Sequence, residues 1–175
     1  KYFSFPARNH YCYASSGAKN RTSPTILAIG DSHSRALSYS LLGVLEKKRI
    51  PIEMLAIGKI GCLPFMGVER FTQNGRANCQ DVLIPVLDLT KEKFVEYVLI
   101  TARYSIHVTG IGFGPGDVAR TSHIQAPGPR LPSSQVDFPA IFSKGLQDTL
   151  ALLASRGKKV IFVHQVPELN FDPKS

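Results

Sequence analysis

Thr25-Ile26-Leu27-Ala28-Ile29, broken by Gly30-Asp31-Ser32-His33-Ser34, is the stretch that decides how this 175-residue chain is read. A short apolar run ending at glycine is what a strand buried on both faces requires, because neither row of its side chains meets water. A helical pattern follows at once. Leu37, Leu41, Leu42 and Leu45 recur at helical spacing and end in Lys47-Lys48-Arg49, cations suited to a helix C-terminus. The turn between the two elements therefore puts Ser32 near a helix N-terminus, where unpaired N–H groups and the positive dipole end can stabilise developing negative charge. A serine on such a turn has the geometry of a nucleophile elbow, although Gly-x-Ser-x-Gly itself is absent. Asp31 would shape the turn. The plainer alternative is that Asp31 and Ser32 are only helix N-caps.

The same alternation continues along the chain. Apolar runs at 52–57, 97–102 and 160–163 read as further strands. Residues 81–89 read as a helix against the objection of Pro85. Ile141, Phe142, Leu146, Leu150 and Leu153 mark an amphipathic helix that Gly157 closes. Between these lie a Gly-rich loop over 58–75 and an irregular, Gly- and Pro-dense stretch over 110–139. A loop of that length inside a compact domain is usually functional or partly mobile. Strands alternating with amphipathic helices predict an α/β fold with a parallel sheet covered on both faces. The specific expectation is a flavodoxin-like three-layer α/β/α sandwich. Residues 1–24 are polar and read as an N-terminal arm that wraps a single domain over 25–175.

Apolar residues make up 43% and charged residues 19%, a globular composition. No apolar run approaches the ~20 residues of a membrane-spanning helix. Lys1 to Pro6 lacks the apolar core of a signal peptide, so a mature or excised piece is expected. A formal charge of +8 favours anionic surroundings. The basic residues are scattered or sit at helix ends, and no zinc-finger spacing or aromatic-basic motif accompanies them, which argues against nucleic acid. Of three cysteines, Cys62 and Cys79 could close a loop of about 17 residues, worth ~3 kcal/mol. Three free thiols in a cytosolic protein are the alternative. The absence of Cys-x-x-C argues against zinc or thioredoxin-like chemistry, and no metal or cofactor is expected.

In open α/β sheets the ligand lies outside the C-terminal ends of the strands. Four segments deliver polar residues there: Gly30 to Ser34, Gly58 to Cys62, Arg103 to His107, and His164-Gln165. The first of them, Ile29-Gly30-Asp31-Ser32-His33-Ser34, resembles block I of the SGNH hydrolase superfamily. More narrowly it resembles the SGNH domains fused to membrane acyltransferases that O-acetylate bacterial surface polysaccharides. Gly61-Cys62-Leu63-Pro64 is similar to that group's Cys-Pro-Pro-like loop. Residues 98–104, Val-Leu-Ile-Thr-Ala-Arg-Tyr, resemble its strand ending in Ala-Arg-Trp. Val163 to Glu168 resembles its late strand and Pro-Glu turn.

The resemblance implies a role for each matching position. Ser32 would be the nucleophile and its N–H an oxyanion donor; Gly61, or alternatively Gly58, would give a second N–H. The superfamily's Gly-x-Asn-Asp is missing, and Arg103 occupies that neighbourhood. Its Asp-x-x-His, which supplies the general base, is also missing. Of the five histidines, His164 is the in-chain base candidate and His33 a pocket-lining residue; His107 reads as a satisfied loop histidine, with His10 and His123 on the arm and the irregular loop. The expectation is a domain incomplete at its C-terminus, with the base on residues outside this sequence. The resemblance further implies a periplasmic domain tethered to the bacterial inner membrane, a Cys62–Cys79 disulfide with Cys12 left for an outside cysteine, and an acetyl group delivered by a membrane acyltransferase domain. The acceptor would be a carbohydrate hydroxyl of a surface polysaccharide or lipopolysaccharide, or water. Two other readings stay open: a non-catalytic carbohydrate-binding or scaffolding domain, and a free-standing secreted carbohydrate esterase.

Overall fold

Around the stretch just read, a computed structural model describes residues 10–15, 25–72, 75–110 and 123–165. β2, Thr25–Gly30, is buried at every residue. It is buried because it lies between two parallel neighbours, β3, Glu53–Lys59, and β6, Val95–Thr101. A further parallel strand, β8, Lys159–Phe162, pairs with β6. β1, His10–Ala14, pairs with β3 in the antiparallel sense. The order is β1-β3-β2-β6-β8.

Side-chain alternation along these strands builds two cores. Ile26, Ala28, Met54, Ala56 and Leu99 face one side, where Leu37, Leu41, Leu42 and Leu45 of α1, Ser32–Lys48, cover them. Leu27, Ile29, Ile57, Val98 and Ile100 face the other, beneath α2, Gln80–Asp88, and α4, Phe138–Ser155. Three layers result, as the apolar runs predict. Each fully buried Leu or Ile of this kind contributes about 1.5–3 kcal/mol. α2 runs through Pro85 because four of its residues, Val82, Leu83, Val86 and Leu87, are buried on the sheet, which outweighs one lost hydrogen bond. Asp137 caps α4 by accepting from the Ala140 N–H at 3.0 Å. Gly157, at φ +66°, follows its last turn.

Two expectations need correction. The sheet is mixed and not wholly parallel, because part of the segment read as an arm is the edge strand β1. Its Tyr11 is buried and Tyr13 packs beside it, ring centroids 5.8 Å apart. A five-residue strand holding His, Cys and two tyrosines offers no apolar run to notice. The stretches read as loops also contain a second sheet. β4, Glu69–Thr72, lies between β5, Gly75–Arg76, and β7, His123–Gln125, both antiparallel to it. Strands of two to four residues bearing Glu, Arg and Gln show no alternation for a sequence reading to detect. Among the described residues no helix is long and apolar enough to cross a membrane.

Candidate active site

β2 ends at Gly30 because nothing larger fits. A Cβ there would run into the Thr101 carbonyl oxygen and come within 2.6 Å of the Ser34 Cβ. Asp31 follows as the N-cap of α1, with its carboxylate buried to 2% exposure. Oδ1 accepts from the His33 N–H at 2.8 Å, and Oδ2 accepts from the Arg103 N–H at 3.0 Å. Thus Asp31 both caps its own helix and ties the β2–α1 turn to the turn after β6. Burial opposes its charge, but the His33 side chain and the backbone N–H groups of Arg103 and His33 outweigh that and hold its pKa below the usual carboxylate range.

Ser32, the first residue of α1, is exposed at the C-terminal edge of the main sheet. Ser34 and Ser38, on the inner face of the same helix, are buried. His33 leans back toward Asp31, its Nδ1 3.6 Å from Oδ1, an ion-pair distance rather than a hydrogen bond. His164 follows β8 onto the same edge, exposed and edge-on to the Phe162 ring at 5.5 Å. Among the described residues no histidine is hydrogen-bonded to the Ser32 hydroxyl. The structure brings Ser32, Asp31, His33 and the Arg103 backbone together, and leaves His164 without a hydrogen bond to them.

After β3 the chain turns through Gly61, φ +74°. Cys62 is bonded to Cys79, Cα atoms 5.5 Å apart, as expected, while Cys12 is a free, exposed thiol on β1. An open depression beside the Ser32 turn is lined by Gly30, Gly58, Lys59, Cys62 and Pro64 over an apolar floor. Gly58 is required for the close approach of two strands, since a Cβ there would meet the Gly30 carbonyl oxygen. The Arg103 N–H is already engaged by Asp31, so that group is not an open oxyanion donor.

Three further residues lie near this edge, and of these Arg70 alone has no signal in the sequence. The Arg70 guanidinium, from β4, packs over Gly61. His107, in the short helix α3, Ser105–Thr109, is buried; burial and the charges of Arg70 and Arg103 push its pKa down to about 3, with Asp31 pulling the other way. It is therefore a neutral imidazole at ordinary pH. Gln165 bridges the exit of β8 to α3, accepting from the Ser105 N–H at 2.8 Å and donating to its hydroxyl at 2.9 Å. His123, read as a residue of an irregular loop, is buried in β7.

Comparison with curated proteins and with solved structures gave no match. A family model described as SGNH domain (fused to AT3 domains) matches residues 2–175. That agrees with the three-layer fold and with the position of Ser32 between the first parallel strand and its helix, and so the chain belongs to the SGNH domains that are fused to AT3 acyltransferase domains.

Proposed function

We propose that this domain transfers an acyl group, acetyl in the first instance, through a Ser32 acyl-enzyme, with a carbohydrate hydroxyl or water as acceptor. One observation carries the reading. Ser32 is exposed on the first turn of α1 while the residue before it is buried and gripped by two backbone N–H groups, so the hydroxyl is presented on a fixed turn. The Ser32 oxygen bonds the acyl carbon, its proton passes to a histidine base, and the carbonyl electrons move onto oxygen. Collapse expels the donor's oxygen as an alcohol and leaves the ester on Ser32. The acceptor hydroxyl repeats the sequence in reverse. His164 is the base candidate within this chain; a histidine outside it is the alternative. The proposed setting is periplasmic, tethered to the bacterial inner membrane, with acetyl supplied by a membrane acyltransferase domain and a surface polysaccharide or lipopolysaccharide as acceptor.

Turnover of a chromogenic acetate ester by the chain and by Ser32→Ala tests the proposal. Loss of roughly 10³-fold or more in kcat is expected. Equal rates would exclude serine catalysis. The absence of a histidine on the Ser32 hydroxyl among the described residues favours a second reading, a carbohydrate-binding or scaffolding module; glycan binding with no Ser32-dependent turnover would select it.

A further inference from the structure

β2 and β3 end side by side at Gly30 and Gly58, which pair across the sheet, and neither carries a side chain to close the space beyond them. The depression that opens there is lined mainly by apolar groups. Val82, Leu83 and Val86 of α2 contribute to it together with Leu63, and all four are buried. The one charged residue among those lining it is Lys59, whose ammonium donates to the Asn78 carbonyl at 3.5 Å. The free volume is about 20 Å³. A single water needs roughly 10–15 Å³ on that scale, so a group of one or two heavy atoms fits and a longer chain does not.

The walls are held in place. Cys79, at the start of α2, is bonded to Cys62, and its N–H donates to the buried Glu69 carboxylate at 2.7 Å. The next residue, Gln80, donates its side-chain amide to the carbonyls of Phe65 and Val68 at 3.0 and 2.6 Å. A cross-link and three hydrogen bonds thus fix the N-terminal end of α2 against the loop that carries Leu63, and enlarging the depression means breaking one of them. Its distance from the nucleophile is bounded by the chain itself. Gly30 and Ser32 are two peptide units apart, so their Cα atoms lie within about 7.6 Å. An acetyl ester on the Ser32 oxygen extends roughly 5 Å beyond Cα by ordinary bond lengths. The turn between them is clamped at Asp31 by the His33 and Arg103 N–H groups. A small apolar space at this range selects by length: a methyl group gains from leaving water, whereas each further methylene must force the walls apart.

We propose that this depression receives the methyl group of the acyl carried on Ser32, and that its size restricts the transferred group to acetyl. The inference rests on the serine reading above for its reaction. It adds what that reading leaves open, the length of the acyl chain and the side chains of Val82, Leu83 and Val86 that set it.

The test has two arms, and the first needs no turnover. Acetamide and butyramide carry the two acyl groups in a form that resists cleavage. Each is titrated into Ser32→Ala while the methyl resonances of Val82, Leu83 and Val86 are followed by NMR. Acetamide should give saturable shifts and butyramide none at the same concentrations; in Ser32→Ala/Leu83→Ala, butyramide should bind. No shift with acetamide, or equal shifts with both amides in Ser32→Ala, overturns the proposal whatever the chain does to esters. The second arm compares chromogenic acetate, butyrate and hexanoate. Wild-type kcat/KM should fall at least about 10-fold from acetate to butyrate. Leu83→Ala should raise butyrate relative to acetate by about 10-fold, Val86→Ala should move the ratio the same way by less, and Val82→Ile should lower the acetate value. A side chain that mattered only to stability would move all three esters together. If Leu83→Ala does not fold, Val86→Ala and Val82→Ile decide. Should Ser32→Ala be inactive while the wild type shows a flat chain-length series, the serine reading stands and this inference falls. Should Ser32→Ala match the wild type, the serine reading falls and the amide arm alone decides whether the depression takes a short acyl group.

Discussion

The Asp31 carboxylate reaches 3.0 Å to the backbone N–H of Arg103, joining the turn that carries Ser32 to the end of a strand seventy-two positions later in the chain. Because a second oxygen is bonded to the His33 N–H, removing the charge loosens two turns together. Asp31→Asn should cost about 1.5–3 kcal/mol, the range for hydrogen bonds to a charged group. The acid limb follows from the sign of the shift. The folded pKa lies below the unfolded one, so this stabilisation is present above the ordinary carboxylate range and is lost as pH falls through the folded value. Urea melts between pH 3 and 7 should be flatter at the acid end for Asp31→Asn. Identical acid limbs would refute the assignment.

His107 adds a slope of its own at higher pH. Its folded pKa is pushed to about 3, whereas an exposed histidine titrates near 6.5. Between those values the unfolded chain binds a proton that the folded chain refuses, so stability falls as pH drops, by ~1.4 kcal/mol per pH unit. His107→Gln should lower stability at pH 7 but remove this part of the slope from pH 6 to 4. A variant that kept the wild-type slope would show that His107 is protonated in the fold.

The Cys62–Cys79 bond predicts a thiol count. Native chain should react with Ellman's reagent at Cys12 alone, and all three cysteines should react after reduction and denaturation. Cys62→Ser/Cys79→Ser should be less stable by ~3 kcal/mol. Two or more reactive thiols in the oxidised native chain would contradict the bridge.

Glycines supply a matched pair. At Gly30 a methyl group has no room beside the Thr101 carbonyl, whereas at Gly43, on the exposed face of α1, nothing lies within 4 Å. Gly30→Ala should destabilise by about 2 kcal/mol or more and disturb the Ser32 turn. Gly43→Ala should stabilise by about 0.5–1 kcal/mol through helix propensity. Thermal unfolding of the two variants checks both; equal shifts would deny the crowding at Gly30.

What could be read from the residues alone was whatever depends on repeated pattern. The runs at Thr25, Ile52 and Tyr97 are parallel strands because burial on both faces forces continuous apolar sequence, while the Val160 run is a part-exposed parallel strand at the end of the described sheet. The leucines of α1 and the apolar stripe of α4 follow the helical period. β1 escaped because an edge strand satisfies itself with two tyrosines and needs no run. β4, β5 and β7 escaped because strands this short take their place from partners far along the chain. Within the site, Ser32 and Asp31 were legible since a strand, a turn and a helix start are local. Arg70 was not, because its approach to Gly61 depends on the fold of a separate sheet, and a lone arginine in a loop-like stretch signals nothing. His107 was legible as a histidine but not as a neutral one, since its neutrality comes from burial and from two arginines on other segments.

β1 also constrains the order in which the chain can assemble. Among the described residues it pairs with β3 alone, His10 with Lys59 and Ala14 with Leu55, while β3 finds its other partner in β2. During synthesis β1 leaves the ribosome before either of them, with no edge to join. It must wait, unpaired and carrying a free thiol, until β3 has emerged and docked on β2. The earliest of the main-sheet strands to be made is therefore not among the first to be fixed, and any interval in which it waits exposes Tyr11 and Cys12 to whatever else is near.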